Sequence, residues 1–139
     1  MKKTMLFVLS LTLISISLIG CQSKDSNAHS DTNISKVNIS KSSGFGKANT
    51  DDFLIEYEDK ETLDIFDNAI SNAIKRNGIV SIVEPEFDLS VSYTDGDKQV
   101  YHLWLGEKGK TSILMNANDT HIIYDISEEV TNQLVDLVK

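Results

Sequence analysis

The stretch from Phe87 to Ile126 constrains the fold of this chain more than any other part. Phe87, Leu89, Val91 and Tyr93 alternate with Asp88, Ser90, Ser92 and Thr94. Successive side chains of a strand point to opposite faces, so this pattern gives one apolar and one polar face. Three more strands follow in close order, at about 99–105, 111–116 and 120–126. Thr94-Asp95-Gly96 and Glu107-Lys108-Gly109 both end in glycine. A three-residue hairpin loop needs a left-handed residue at that place. The resulting register sets Leu89 opposite Tyr101, Phe87 opposite Leu103, and Leu103 opposite Ile113. A slip of one residue would send those side chains to the other face.

The elements around this meander are shorter. Val37 and Ile39 mark one strand; Phe53, Ile55 and Tyr57 mark another, with Ser42-Ser43-Gly44-Phe45-Gly46 as a loop between them. Asp59 reads as a helix N-cap with Glu61 in the first turn. Leu63, Phe66, Ile70 and Ala73/Ile74 then fall on one helical face, and Gly78 suits the position past the end. Ile79 to Val83 is a short apolar stretch, ended by Pro85. Ser127 caps a last helix whose buried stripe is Val130, Leu134, Leu137 and Val138. The expected class is α+β: an antiparallel sheet, about a four-stranded meander plus an N-terminal strand pair, with two helices packed on one face. It fills a single domain over 34–139.

The first residues have a different composition. Lys2 and Lys3 precede an apolar run from Met5 to Ile19, and Leu18-Ile19-Gly20-Cys21 follows. A positive start, a short apolar stretch and a small residue at the end make a secretory signal. The run is shorter than the roughly 20 apolar residues that span a bilayer. Leu18-Ile19-Gly20-Cys21 resembles the lipobox of bacterial lipoproteins. That resemblance implies cleavage after residue 20 and a diacylglyceryl group on the thiol of Cys21. Cys21 is the one cysteine of the chain and cannot form an internal disulfide. Two acyl chains on it would suffice for stable anchoring. Gln22 to Asn33 has no apolar residue larger than alanine, so residues 21–33 read as the lipidated cysteine and a flexible tether. The expected location is the extracytoplasmic face of the cell membrane, with the membrane as partner through lipid on Cys21.

Charge narrows the partners. The chain carries 21 acidic and 13 basic residues, and cleavage would remove only Lys2 and Lys3. Phosphate binding needs a basic face, so nucleic acid is not an expected partner.

The expected register places Asp88, His102, Leu114 and His121 roughly in a row on the outer face, with Trp104 and Ile123 nearby. A tryptophan beside two histidines on a wet face marks a contact surface. The competing arrangement has the first strands or a loop covering it. Ser90 and Ser92 share the face, but there is no Gly-x-Ser-x-Gly turn. Histidines separated by Leu114 lack the close grouping of a metal site. Gly44-Phe45-Gly46 lacks the rest of a dinucleotide loop, and Asp95-Gly96-Asp97 lacks the rest of a calcium loop. No catalytic residue, metal or cofactor is expected on this reading.

Phe66-Asp67-Asn68-Ala69-Ile70, Glu84-Pro85-Glu86-Phe87-Asp88-Leu89, His102-Leu103-Trp104-Leu105-Gly106 and Asn118-Asp119-Thr120-His121 resemble the small YhfM-type lipoproteins of Bacillus-like bacteria. The resemblance spans about 35–139 and implies an exported, anchored domain without an activity or a site residue to carry over. The expectation is therefore a non-enzymatic binding or accessory domain. It would meet a protein or envelope partner through His102, Trp104, Leu114 and His121. The alternative is a small hydrolase or metal-dependent enzyme using His102 and His121.

Overall fold

The computed structural model describes residues 33–78 and 81–139. Cys21, the signal and most of the tether lie outside the described residues, as do Ile79 and Val80. The chain runs β1 (Ile34–Lys41), β2 (Phe53–Tyr57), α1 (Lys60–Ser71), β3 (Ile74–Lys75), β4 (Phe87–Tyr93), β5 (Lys98–Trp104), β6 (Ser112–Asn116), β7 (Asp119–Ile126), α2 (Glu128–Val138). All the strands join one antiparallel sheet in the order β2-β1-β4-β5-β6-β7-β3. The α+β class stands, with seven strands and two helices.

One face of the sheet carries the core. Val37, Ile39, Leu89, Val91, Leu103 and Leu114 pack there with Phe66 and Ala69 of α1 and Leu134 of α2. Both helices start on an expected cap: Asp59 accepts from the Thr62 N–H, and Ser127 from the Val130 N–H. The apolar stripes then face the sheet because the residues recur at helical spacing.

The first hairpin of the meander keeps its expected register. Leu89 faces Tyr101 and Phe87 faces Leu103. Gly96, at a φ of 90°, ends the loop whose N–H bonds to Tyr93 O at 3.0 Å. The second does not. Leu103 faces Leu114, and Ile113 faces Trp104. β5 stops at Trp104 and β6 begins at Ser112, so the connection is longer than a three-residue loop. Within it Leu105 is buried, and the Gly106 N–H donates to Ser112 Oγ at 3.0 Å. This one-residue shift turns Leu114 into the core and puts Met115 on the outer face beside His102.

The first helix is also shorter than its apolar pattern. It ends at Ser71, and Ile74–Lys75 pairs with Asp125 and Tyr124 at the sheet edge. Arg76 fixes this turn: its backbone N–H bonds to Ile123 O at 2.9 Å, and its guanidinium pairs with Asp125. Ile74 is consequently exposed, and Gly78 caps nothing.

Burial pushes the Tyr93 and Tyr101 hydroxyls above the ordinary phenol value of 10.0. Above that value the unfolded chain sheds these protons while the folded one keeps them. The associated stability is full below it and is lost as pH rises through the higher folded values. The urea midpoint should therefore fall between about pH 9 and about pH 11, and Tyr93→Phe should flatten the fall. An unchanged midpoint in the parent protein contradicts this.

Candidate functional site

Over Asp88 and His102 the outer face of the sheet is roofed rather than wet. The segment between β1 and β2 folds back over β1 and β4. There Ser40 Oγ donates to Asn49 O at 2.5 Å, and the Asn49 N–H donates to Asp88 Oδ2 at 2.7 Å. The segment leading into β4 covers β5, where Trp104 Nε1 donates to Val83 O at 2.8 Å. The Ser42 N–H donates to Glu86 O at 3.1 Å, which extends the β1–β4 ladder by one rung, and beyond it the two segments meet where Gly44 lies against the Glu84 side chain. Of the two arrangements open at the level of sequence, the covered one is found.

Beneath this roof lies a buried pair. His102 Nδ1 is 2.6 Å from Asp88 Oδ1, with side-chain exposures of 1% and 0%. The two residues are cross-strand partners on β4 and β5, so the sheet itself sets their separation. The Asn49 N–H holds the other carboxylate oxygen. Whenever this carboxylate is ionised it can only accept, which calls for a proton on Nδ1 and leaves Nε2 as the basic nitrogen. A base fixed in this way by a third group is the orienting half of a catalytic constellation.

The ring of Phe45 stands edge-on to His102 at 6.2 Å and tilted against Trp104 at 5.9 Å. Trp104 is itself 6.3 Å from His102. Phe45 also lines a cavity of about 630 Å³, a size usual for small-molecule sites. Met115 and Ile123 contribute its apolar side, and Arg76 and His121 stand among its polar residues. Met115 is also the strand neighbour of His102, so the pair lies one strand from the cavity.

The four residues expected to form a contact surface are thus dispersed. His102 and Trp104 stay together, but His102 is closed off. Leu114 is a correction: it is 2% exposed in the helix-side core, because of the shifted β5–β6 register. His121 is exposed and lines the cavity. Among the described residues no three His, Cys, Asp or Glu side chains gather as metal ligands. Sequence reasoning missed Phe45, Asn49, Arg76 and Met115. The paired glycines around Phe45 were visible, but only the roof gives them a place.

The family model described as YhfM protein matches residues 31–139. No curated protein matches the sequence. Among solved structures, a thioesterase-like protein from Clostridium sporogenes ATCC 15579 shares the fold with a TM-score of 0.60 and 13% identity. The match covers 78% of this chain and 95% of that one. This likeness corrects the expectation of a non-enzymatic domain. What is shared is the architecture, with a protein described as thioesterase-like, and this favours the alternative stated above, a small hydrolase or metal-dependent enzyme using His102 and His121.

Proposed function

We propose, for a chain that belongs to the YhfM family, that the domain is a small hydrolase acting on an acyl thioester, with His102 as general base and Asp88 as its positioning residue. The carrying observation is the Asp88–His102 pair, held by the Asn49 N–H and set one strand from the cavity. The thioester class comes from the description of the fold neighbour. Water attacks the acyl carbon while its proton passes to His102 Nε2. The carbon–sulfur bond then breaks, and the leaving sulfur takes that proton. The products are a carboxylic acid and a thiol. A base positioned in this way contributes about 10²–10⁴-fold to the rate.

Lipid on Cys21 would hold this hydrolase at the extracytoplasmic membrane surface, on the strength of Leu18-Ile19-Gly20-Cys21. The test is thiol release by the purified domain from short- and medium-chain acyl thioesters. Release well above the buffer rate is expected. Release at the buffer rate across the series overturns the proposal.

A further inference from the structure

We infer that Phe45 determines which substrates reach His102, and that the cavity it walls takes an aliphatic acyl group. This rests on the hydrolytic reading for its chemistry, and its own test does not require turnover.

The ring of Phe45 is the shared partition. It contacts His102 and Trp104 and also lines the cavity. His102 is 1% exposed, whereas Phe45 is 45% exposed. The part shutting off the histidine is therefore itself at the surface, where it can move without breaking the core.

The backbone fits that role. Gly44 and Gly46 flank Phe45 at φ of 93° and 96°, in the left-handed region that only glycine enters without strain. The loop is tied at its ends, where the Gly44 N–H donates to Ser42 Oγ and the Asn49 N–H to Asp88. Rotation about the two glycines can swing the ring while those ties stay in place.

The cavity chooses the ligand class. Met115, Ile123, Ile82 and Phe45 are apolar, and methionine adapts to chains of varied shape. Among the described residues lining it there is no carboxylate, in a chain with 21 acidic residues. Arg76, His121, Ser81 and Thr120 are the polar residues a carbonyl or a carboxylate would meet, beside the apolar part that would take the chain.

Trp104, the one tryptophan of the chain, touches Phe45 and reports its movement. The full domain is titrated with straight-chain alkyl methyl ketones, which carry the chain and a carbonyl but cannot be hydrolysed. Saturable change in Trp104 emission is expected, with affinity rising about fourfold per methylene until the cavity fills. Ile82→Glu, on the covering segment, should weaken binding at least ~10-fold. Phe45→Ala should speed modification of His102 by diethyl pyrocarbonate at least ~10-fold, read by peptide mapping. Absence of ketone binding, or affinity independent of chain length, overturns the ligand class. Equal labelling of His102 in folded Phe45→Ala overturns the gate. Ketone binding without thioester hydrolysis would refute the hydrolytic reading and leave this one standing.

Discussion

Exchanging His102 for glutamine is expected to lower thioester hydrolysis at least ~100-fold while the domain stays folded. Glutamine is similar in reach, and its amide can donate to Asp88 from the place that His102 Nδ1 holds. It therefore fills the space under Phe45 and keeps the carboxylate partnered. What it lacks is a basic nitrogen, so the attacking water keeps its proton. The effect should fall on kcat, because the exchanged group works on the reacting atoms and not on the acyl chain. Thiol release with a parallel circular dichroism spectrum makes the comparison. A folded His102→Gln protein turning over at the parent rate would remove His102 from the mechanism.

Exchanging Asp88 for alanine should instead remove much of the protein's stability margin, at a cost of about 4 kcal/mol for the two groups left unmet. The carboxylate is fully buried and has two partners, His102 Nδ1 and the Asn49 N–H. Alanine leaves both without a partner in a place water does not reach, and an unmet buried group costs about 1–3 kcal/mol by itself. It also releases the loop between β1 and β2 from β4, since Asn49 is the clamp. Urea denaturation of the parent and of Asp88→Ala measures the difference. A loss below about 1 kcal/mol would mean that the pair is not the structural tie described here. Asp88→Asn is the gentler exchange: its oxygen can still accept from Asn49, but its amide meets His102 Nδ1 as a donor. It should fold and lose turnover.

Much of the fold could be read from local chemistry. The alternation of Phe87 to Tyr93, the glycine of Thr94-Asp95-Gly96, and the caps Asp59 and Ser127 each act within a few residues, and each took its expected place. The departures arose where distant groups decide. The apolar spacing of α1 runs on to Ile74, but the Arg76 bonds to Asp125 and Ile123 O draw that segment into the sheet. The β5–β6 register depends on how Leu105 and Gly106 fill the connection, and turn chemistry at Gly109 does not report that.

The site was half legible for the same reason. Period-two alternation put Asp88 and His102 on one face of neighbouring strands, and they are partners. The roof was not legible. It depends on Asn49 reaching Asp88 and on Trp104 reaching Val83, contacts between segments 39 and 21 positions apart that follow no periodic pattern. That roof turns an expected docking face into a closed pair beside a cavity.

The central claim is that Asp88 and His102 act as one unit on an acyl thioester. The most direct measurement is kcat/KM for thiol release by the parent, Asp88→Asn, His102→Gln and the double variant, each confirmed folded. Residues that act together lose their effect together, so the double variant should be no slower than His102→Gln alone. Losses that multiply, or a His102→Gln protein as fast as the parent, would contradict the account.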